Sequence, residues 1–334
     1  MTGYAEDDGA EMKHFIGIDL GGTNIKAGLV DLEAGKLIGS KSVPTVSREG
    51  PDAVMIRMAD LAIQLIGENK VAKSDVGGIG IGVPGLLDLQ KGTTKFLPNL
   101  PGNWPDIPLR DTITSRTGIP AAILNDARAI TFGEWKFGAG RGVDTMACFT
   151  LGTGVGGGLV INSRLHLGSV GAAGELGHQT IDFNGPRCGC GNRGCLEAYA
   201  TGPAIGAMGV KAVMQGLTTS IGKLVNYDLN KIGPDTIAQA ARDGDAVAKE
   251  IYDTVGMYYG IAIANVCVFV LPQKVVLAGG VAAAGELLFE PIRKTLKERV
   301  TMVPVDQVDV VQAELGNNAG VMGVALWAKE QIPL

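Results

Sequence analysis

The sequence lacks a cluster of basic residues. Its 29 Lys and Arg are outnumbered by 34 Asp and Glu, the net charge is −5, and the basic residues are scattered along the chain. A nucleic-acid-binding surface needs concentrated positive charge, so we expect no nucleic-acid partner. The acidic balance is instead typical of enzymes that act on small molecules.

The sequence also lacks a recognisable targeting or membrane segment. Its first residues, MTGYAEDDGAEMK, contain no basic segment followed by an apolar run, which excludes a typical secretory signal. Residues 255–271 are uncharged, but they fall short of the ~20 apolar residues that a bilayer requires and contain Asn265. The stretch continues a helical pattern that begins at Ile237. We therefore expect a buried core helix, no membrane partner and a cytoplasmic location.

Cysteine is scarce, with five residues in the whole chain, yet Cys188, Cys190 and Cys195 lie within eight positions of one another. In a reducing compartment, close-set cysteines bind metal or carry out redox chemistry more often than they form structural disulfides. The other two, Cys148 and Cys267, lie in apolar runs and are expected in the core.

The length and pattern predict two α/β domains. A chain of 334 residues with 46% hydrophobic content is expected to form two domains. From His14, a short strand, the turn GGTN and two further strands predict an antiparallel opening, followed by a helix from Pro51 and alternating strands and helices. The second half opens in the same way, with DTMACFTLG and TGVGGG. Two such halves predict duplicated domains that face a shared cleft.

The expected boundaries follow from this pattern. Residues 1–12 are acidic and without hydrophobic period, and are expected to be disordered. A small domain is expected over residues 13–124 and 318–334, where residues 317–331 predict a final helix. The large domain is expected over residues 125–317.

Three glycine-rich turns suggest a phosphate-binding site. In DLGGTN, residues 19–24, the glycines allow backbone N–H groups to approach phosphate, and the carboxylate can hold hydrated Mg²⁺. One such turn is equally compatible with a plain β-hairpin, but LGTGVGGG at 151–158 and LAGGVAAAGE at 277–286 repeat the chemistry. Neither a P-loop nor a dinucleotide motif fits. The candidate nucleotide-binding residues are Asp19, Gly21, Gly22, Thr23, Asn24, Gly152, Thr153, Gly154, Gly279 and Gly280.

Six motifs together resemble a known family. DLGGT, LNDA, LGTGVGGG, GELGH, CGCGNRGCLE and LAGGV occur in the order and approximate spacing of the ROK group of repressors and sugar kinases, within the actin- and hexokinase-like ATPases. The resemblance extends from about Lys13 onward, is most specific over residues 174–197, and is greatest to the bacterial glucokinases of the group. It implies a two-domain, ribonuclease H-like α/β fold with an interdomain cleft.

The resemblance also implies roles for individual residues. Asp126 of LNDA matches the general base that takes the proton of the sugar hydroxyl, although a helix cap is the ordinary role of Asp at such a position. The residues that match the sugar-binding set are Gly85, Asn125, Asp126, Glu175, His178 and Glu197. The chain departs from the group at Leu124 and Arg128, where Glu and Asn are usual.

The clustered cysteines then fit a structural metal site. His178, Cys188, Cys190 and Cys195 form a set H-x9-C-x-C-x4-C, whose four soft ligands suit tetrahedral Zn²⁺ with no open position. Zinc on one ring nitrogen of His178 would orient the other toward the sugar, and would hold Glu175 and Glu197 in place. Loss of the metal is therefore expected to weaken sugar binding more than nucleotide binding.

The expected function is transfer of the γ-phosphate of ATP to the 6-hydroxyl of a hexose, glucose above all, with ATP, Mg²⁺ and structural Zn²⁺ bound. Mannose and N-acetylhexosamines remain alternatives as substrates. A sugar-responsive repressor of the same group is the main alternative function, but only 18 residues precede Asp19, too few for a helix-turn-helix domain. A non-catalytic actin-like scaffold would not need the cysteine loop. The partners are expected to be a small sugar and ATP, and the assembly a homodimer or homotetramer.

Overall fold

The computed structural model describes residues 12–333, so the predicted disorder of residues 1–12 lies outside the described residues except at Met12. The chain divides into two compact units. One unit ends at Ala129 and takes up the chain again from Gly320, and the other is Ile130–Ala319.

The secondary structure alternates as predicted. Along residues 12–333 the strands are β1 (His14–Leu20), β2 (Asn24–Asp31), β3 (Lys36–Pro44), β4 (Val76–Val83), β5 (Leu86–Asp88), β6 (Thr93–Phe96), β7 (Ala121–Asn125), β8 (Met146–Leu151), β9 (Val155–Ile161), β10 (Arg164–Leu165), β11 (Lys274–Ala278) and β12 (Asp309–Gln312). The α-helices are α1 (Pro51–Glu68), α2 (Leu109–Thr117), α3 (Asp126–Phe137), α4 (Glu197–Ala200), α5 (Gly202–Met214), α6 (Ile221–Leu224), α7 (Pro234–Arg242), α8 (Ala246–Phe269), α9 (Glu286–Arg299) and α10 (Ala319–Gln331).

The first unit is built on a five-stranded sheet in the order β3-β2-β1-β4-β7. The pairs β1–β2 and β2–β3 are antiparallel, as the opening GGTN turn predicts, whereas β1–β4 and β4–β7 are parallel. Every residue of β4 and β7 is buried, which is typical of parallel strands covered on both faces. Because β1, β4 and β7 are parallel, their carboxyl ends meet at one edge of the sheet.

The second unit repeats this topology. Its sheet has the order β10-β9-β8-β11-β12, with β8–β9 and β9–β10 antiparallel and β8–β11 and β11–β12 parallel. The prediction of two halves with one theme is therefore confirmed at the level of strand order. The carboxyl ends of β8 and β11 also share an edge.

Helix α10 packs directly on the first sheet. A Cβ added at Gly17 would lie 1.9 Å from the carbonyl oxygen of Val321, and one at Gly80 would lie 1.7 Å from that of Val324. Only glycine permits so close an approach of helix and strand backbones. The indole Nε1 of Trp327 donates a hydrogen bond of 2.9 Å to the carbonyl oxygen of Ile123 on β7, which fixes the helix to the sheet.

The helical pattern that begins at Ile237 forms two helices, which corrects the prediction of one continuous helix. The backbone turns at Gly244, where φ is 92°, and Asp245 then accepts a hydrogen bond of 3.0 Å from the N–H of Ala248 as the N-cap of α8. Helix α8 is long and apolar enough to cross a membrane, but most of its most apolar stretch is buried inside the protein. It is the predicted core helix.

The expected burial of the two remaining cysteines is confirmed, and three further side chains lie outside the predicted site residues. Cys148 and Cys267 are fully buried, and Trp104 packs in the core of the first unit. His14 lies at the start of β1, and His166 is exposed. None of these five side chains belongs to the glycine-rich turns or to the cysteine cluster.

Candidate active site

The first glycine-rich turn joins β1 to β2. The N–H of Gly21 donates to the carbonyl oxygen of Asn24 at 2.9 Å, and the hydroxyl of Thr45 donates to the carbonyl oxygen of Gly21 at 2.7 Å. The N–H of Thr45 also donates to the carbonyl oxygen of Thr23 at 2.8 Å. These bonds define the shape of the turn, and Gly22, Thr23 and Asn24 are exposed.

Two carboxylates lie at the carboxyl edge of the first sheet. Asp19 is paired with Gly82 of β4, and β7, the next strand, ends at Asn125, directly before Asp126. Burial raises the pKa of Asp19 to about 6, with the negative charge of Asp126 as the second cause, while the positive charge of Lys26 opposes the shift. The two predicted functional carboxylates are therefore close enough for their charges to interact.

Asn125 links the start of α3 to the loop after β4. Its side-chain oxygen accepts hydrogen bonds from the N–H groups of Ala127 at 3.1 Å and Arg128 at 3.3 Å, and its side-chain nitrogen donates to the carbonyl oxygen of Gly85 at 3.1 Å. Asp126 Oδ1 also accepts from the N–H of Ala127, at 2.8 Å. Because α3 begins at Asp126, these bonds make Asn125 the N-cap of the helix, so the capping role considered for Asp126 belongs to its neighbour. Asp126 lies at the first helical position, directly after the strand end.

The two departures from the family pattern are both buried. Leu124 lies in β7 with no exposed surface, and Arg128 lies in the first turn of α3 with 2% of its surface exposed. Leu124 therefore belongs to the interior of the first unit. A buried guanidinium two positions after Asp126 is a feature that the sequence motif did not predict.

The second and third glycine-rich turns meet in the second unit. Residue Ala278 of β11 pairs with Thr150 of β8, so Gly279 and the turn at residues 152–154 follow neighbouring parallel strands. Gly279 has φ 94°, and a Cβ there would lie 2.4 Å from the carbonyl oxygen of Leu151. These two predicted sites therefore form one, at the carboxyl edge of the second sheet.

A cavity of about 360 Å³ lies at this edge. Its lining residues are Gly152, Thr153, Gly202, Pro203, Ile232, Gly233, Pro234, Asp235, Gly280 and Val281. The walls are mostly apolar, and the glycine-rich turns add exposed backbone groups, which suits a flat apolar base joined to a phosphate chain. Sequence reasoning identified the turns but missed the walls contributed by residues 203 and 232–235, which have no motif of their own.

The four predicted zinc ligands converge. The ligand atoms of His178, Cys188, Cys190 and Cys195 all lie within 4.8 Å of one another. The distance from His178 Nδ1 to Cys188 Sγ is 3.7 Å, as is the distance between the sulfurs of Cys190 and Cys195. A tetrahedral zinc ion with Zn–S bonds of about 2.3 Å places its sulfurs ~3.8 Å apart, so the cluster could hold Zn²⁺.

The thiols of this cluster differ in the direction in which their pKa values are shifted. Burial raises the pKa of Cys188 to about 12, and burial also raises the pKa of Cys195. By contrast, the backbone N–H of Asn192 lowers the pKa of Cys190. A metal that binds here must displace the protons of the buried thiols, so its affinity falls as the pH is lowered.

The two glutamates that are predicted to bind sugar lie close in sequence to the metal cluster. Glu197 opens α4; its Oε2 accepts a hydrogen bond of 2.9 Å from the N–H of Val155, and its Oε1 lies 3.8 Å from both Cys188 Sγ and His178 Nδ1. Glu175 is exposed and precedes the short 3₁₀ helix Leu176–His178, with its carbonyl oxygen accepting from the N–H of His178 at 3.0 Å. The ring of His178 points Nδ1 toward the cysteines, as the predicted zinc site requires.

The predicted residues thus form two groups, one in each unit. In the first unit the carboxyl edge of the sheet carries Asp19, Asn125 and Asp126, with Gly85 bonded to Asn125. In the second unit the turns at 152–154 and 279–280 border the cavity, and the metal cluster adjoins Glu197.

A repeated five-stranded sheet with two antiparallel and two parallel pairs, and with glycine-rich turns at the strand ends, is the architecture of the actin- and hexokinase-like class. The chain matches the family model described as ROK family over residues 15–331, and it belongs to the ROK family.

Three relatives illustrate this membership. The chain is 37% identical over 317 residues to a glucokinase of Thermotoga maritima, covering 95% of this chain and 98% of that protein. It is 32% identical over 310 residues to a xylose repressor of Bacillus subtilis, covering 93% of this chain and 75% of the repressor. The crystal structure of a ROK family glucokinase from Streptomyces griseus, in complex with glucose and AMPPNP, matches with a TM-score of 0.80 and 33% identity over 95% of this chain and 99% of that one. The predicted fold class is confirmed.

Proposed function

We propose that the protein is an ATP-dependent hexose kinase that phosphorylates glucose on its 6-hydroxyl. The observation that carries the proposal is the carboxyl edge of the first sheet, where Asp126 lies at the start of α3 beside the bonded pair Asn125 and Gly85. The similarity to glucokinases over nearly the whole chain supports the same function.

In the proposed reaction Asp126 is the general base. Its carboxylate accepts the proton of the sugar 6-hydroxyl as that oxygen attacks the γ-phosphorus of ATP. The bond from the γ-phosphorus to the bridging oxygen breaks, and its electron pair leaves with ADP. The hydrogen bond from the N–H of Ala127 holds the Asp126 carboxylate in place, so little reorganisation is needed when the proton moves.

The nucleotide is proposed to bind to the glycine-rich turns. The cavity bordered by Gly152, Thr153 and Gly280 takes the adenosine end of ATP, and the exposed turn at Gly22 and Thr23 offers N–H and hydroxyl donors to phosphate. Asp19, together with waters, would hold Mg²⁺, which when bound neutralises phosphate charge. Because the ionised form of Asp19 is needed for this, its raised pKa sets a lower pH limit for the site.

The sugar is proposed to be held by several hydrogen-bonding groups. The candidate residues are Gly85, Asn125, Asp126, Glu175, His178 and Glu197. A polyol that pairs with all these groups is distinguished from an epimer that leaves one of them buried and unpaired. Zn²⁺ on His178, Cys188, Cys190 and Cys195 is proposed to be structural, since four protein ligands leave no position for substrate.

An ADP-release assay with a panel of sugars tests the proposal. Glucose, mannose, N-acetylglucosamine and N-acetylmannosamine are compared as acceptors, each with ATP and with polyphosphate as donor. The proposal requires the highest kcat/KM for glucose with ATP and a loss of turnover in Asp126→Asn. Turnover with an N-acetylhexosamine alone would assign the enzyme to a different substrate.

A sugar-responsive repressor is the second candidate, because a xylose repressor is 32% identical over 93% of this chain. The same purified protein is tested for sugar-dependent DNA binding by mobility shift. A repressor would bind DNA with an affinity that changes when sugar is added, and it would release no ADP. The predicted homodimer or homotetramer is tested on the same sample by light scattering coupled to size exclusion.

A further inference from the structure

One short segment, residues 197–202, contacts the turn at residues 152–155 at both of its ends. At the start of the segment, Glu197 Oε2 accepts a hydrogen bond of 2.9 Å from the N–H of Val155. At its end, the N–H of Gly202 donates a hydrogen bond of 2.8 Å to the carbonyl oxygen of Gly152. The conformation of the turn therefore depends on the position of this segment.

The same segment is continuous with the metal cluster. Cys195 lies two residues before Glu197, and Glu197 Oε1 is 3.8 Å from the sulfur of Cys188. In the middle of the segment, the carbonyl oxygen of Ala200 accepts a hydrogen bond of 2.7 Å from the buried hydroxyl of Tyr259 on α8. Glu197 thus has one carboxylate oxygen on the turn and the other beside the metal ligands.

The turn and the carboxylate are also in steric contact. A Cβ added at Gly154 would lie 2.8 Å from Glu197 Oε2, whereas a Cβ added at Gly152 would have no neighbour within 4 Å. A side chain at position 154 would therefore displace the carboxylate, and one at position 152 would not. Glu197 is the only neighbour within 4 Å of the Cβ position at Gly154, so the two glycines of this turn differ only in their contact with Glu197.

We propose that Glu197 is a positioning residue for the phosphate-binding turn, so that sugar binding and nucleotide binding are coupled through residues 197–202 within the second unit. A sugar hydroxyl bonded to Glu197 fixes the carboxylate that holds the N–H of Val155, and by linkage a nucleotide on the turn raises sugar affinity by the same factor. The inference rests on the proposed function, because it takes the turn as the ATP site. The sequence predicted that loss of the metal would weaken sugar binding more than nucleotide binding. With this coupling, loss of the metal cluster should weaken the binding of both sugar and nucleotide.

The first test measures nucleotide affinity without sugar. AMPPNP with Mg²⁺ is titrated calorimetrically into the zinc-loaded wild type, Glu197→Ala and Glu197→Gln. We expect the Ala variant to bind AMPPNP about tenfold more weakly, because the N–H of Val155 loses its acceptor. The Gln variant retains AMPPNP affinity within about twofold, because its amide oxygen accepts the same hydrogen bond, although both variants lose glucose affinity. Glu175→Gln is the control for the AMPPNP titration: it removes a different carboxylate proposed to bind sugar, and it should leave AMPPNP affinity unchanged.

The second test is reciprocal and measures glucose affinity without nucleotide. Gly154→Ala should weaken glucose binding about fivefold or more by displacing Glu197, whereas Gly152→Ala should leave it unchanged. Wild-type AMPPNP affinity in Glu197→Ala, or wild-type glucose affinity in Gly154→Ala, would overturn the inference and leave the kinase function intact. A wild-type protein that binds glucose but no AMPPNP would overturn the proposed function and the inference with it.

Discussion

The side-chain nitrogen of Asn125 donates a hydrogen bond of 3.1 Å to the carbonyl oxygen of Gly85, although the two residues are 40 positions apart. Gly85 has φ 92°, and a Cβ there would lie 2.2 Å from the carbonyl oxygen of Phe96. The bond therefore joins the end of β7 to a loop whose backbone only glycine can adopt without strain.

Gly85→Ala should accordingly lower both stability and sugar affinity. We expect a loss of about 2–4 kcal/mol in the free energy of unfolding, from the left-handed conformation together with the backbone clash. Gly102→Ala is the matched control, since Gly102 also has positive φ but has open space around its Cβ position. Urea unfolding and glucose titration of both variants measure the difference, and equal losses would show that the clash contributes nothing.

Asp126→Asn should retain the fold and glucose affinity but lose at least ~10²-fold in kcat. The Asn side-chain oxygen can still accept the hydrogen bond from Ala127, whereas it cannot take the proton of the sugar hydroxyl. Asp60→Asn, on the exposed face of α1, is the control. Single-turnover measurements separate chemistry from product release, and near-normal turnover would remove Asp126 from the role of base.

Asp19 should make the protein less stable as the pH rises through its titration range. Burial and the charge of Asp126 raise its pKa from 3.8 to about 6 in the folded state, so the folded protein binds more protons than the unfolded chain between these values. The contribution of the raised pKa to the free energy of unfolding is fully present below about pH 4, and it is lost as the pH rises through about 6.

Asp19→Asn should therefore be more stable than the wild type at pH 7, by on the order of 1–3 kcal/mol, and equal to it near pH 4. The same variant should lose activity with Mg·ATP, because the amide does not replace the ionised carboxylate. Urea unfolding at both pH values measures the stability, and a variant destabilised equally at both would contradict the assignment of the shift to Asp19.

Purified protein should contain about one zinc ion per chain, and Cys190→Ala should lose it. Stability should fall with the metal, because the loop over residues 178–195 has its ligands brought together only in the folded state. Cys267→Ala, in the core of the second unit, is the control that should keep its zinc. Elemental analysis and thermal unfolding give the result, and a fully active protein without zinc would exclude the structural role.

The parts of this protein that sequence predicted well are those encoded in short segments. The GGTN turn specifies its own hairpin, and Cys188, Cys190 and Cys195 lie close enough in sequence to indicate a shared metal. The break before α8 could have been predicted too, because Asp243, Gly244 and Asp245 are ordinary signals for the end of one helix and the start of the next.

Other features could not be predicted from local sequence. The cavity combines Pro203, Ile232 and Gly280 from separate segments, and only the folded sheet and helices bring them together. The contact between Glu197 and Val155 joins residues 42 positions apart and leaves no mark in the sequence pattern. Such contacts depend on tertiary packing, which a periodicity or a motif does not encode.

The packing of α10 on the first sheet has a consequence for how the protein is made. The backbone of this helix covers Gly17 and Gly80, and Trp327 bonds to the carbonyl oxygen of Ile123, yet the ribosome translates the helix only after the whole second unit. The strands nearest the N-terminus must therefore wait, with one apolar face incomplete, until the last helix emerges. The unit whose synthesis begins first can therefore be completed only after the second unit has been translated.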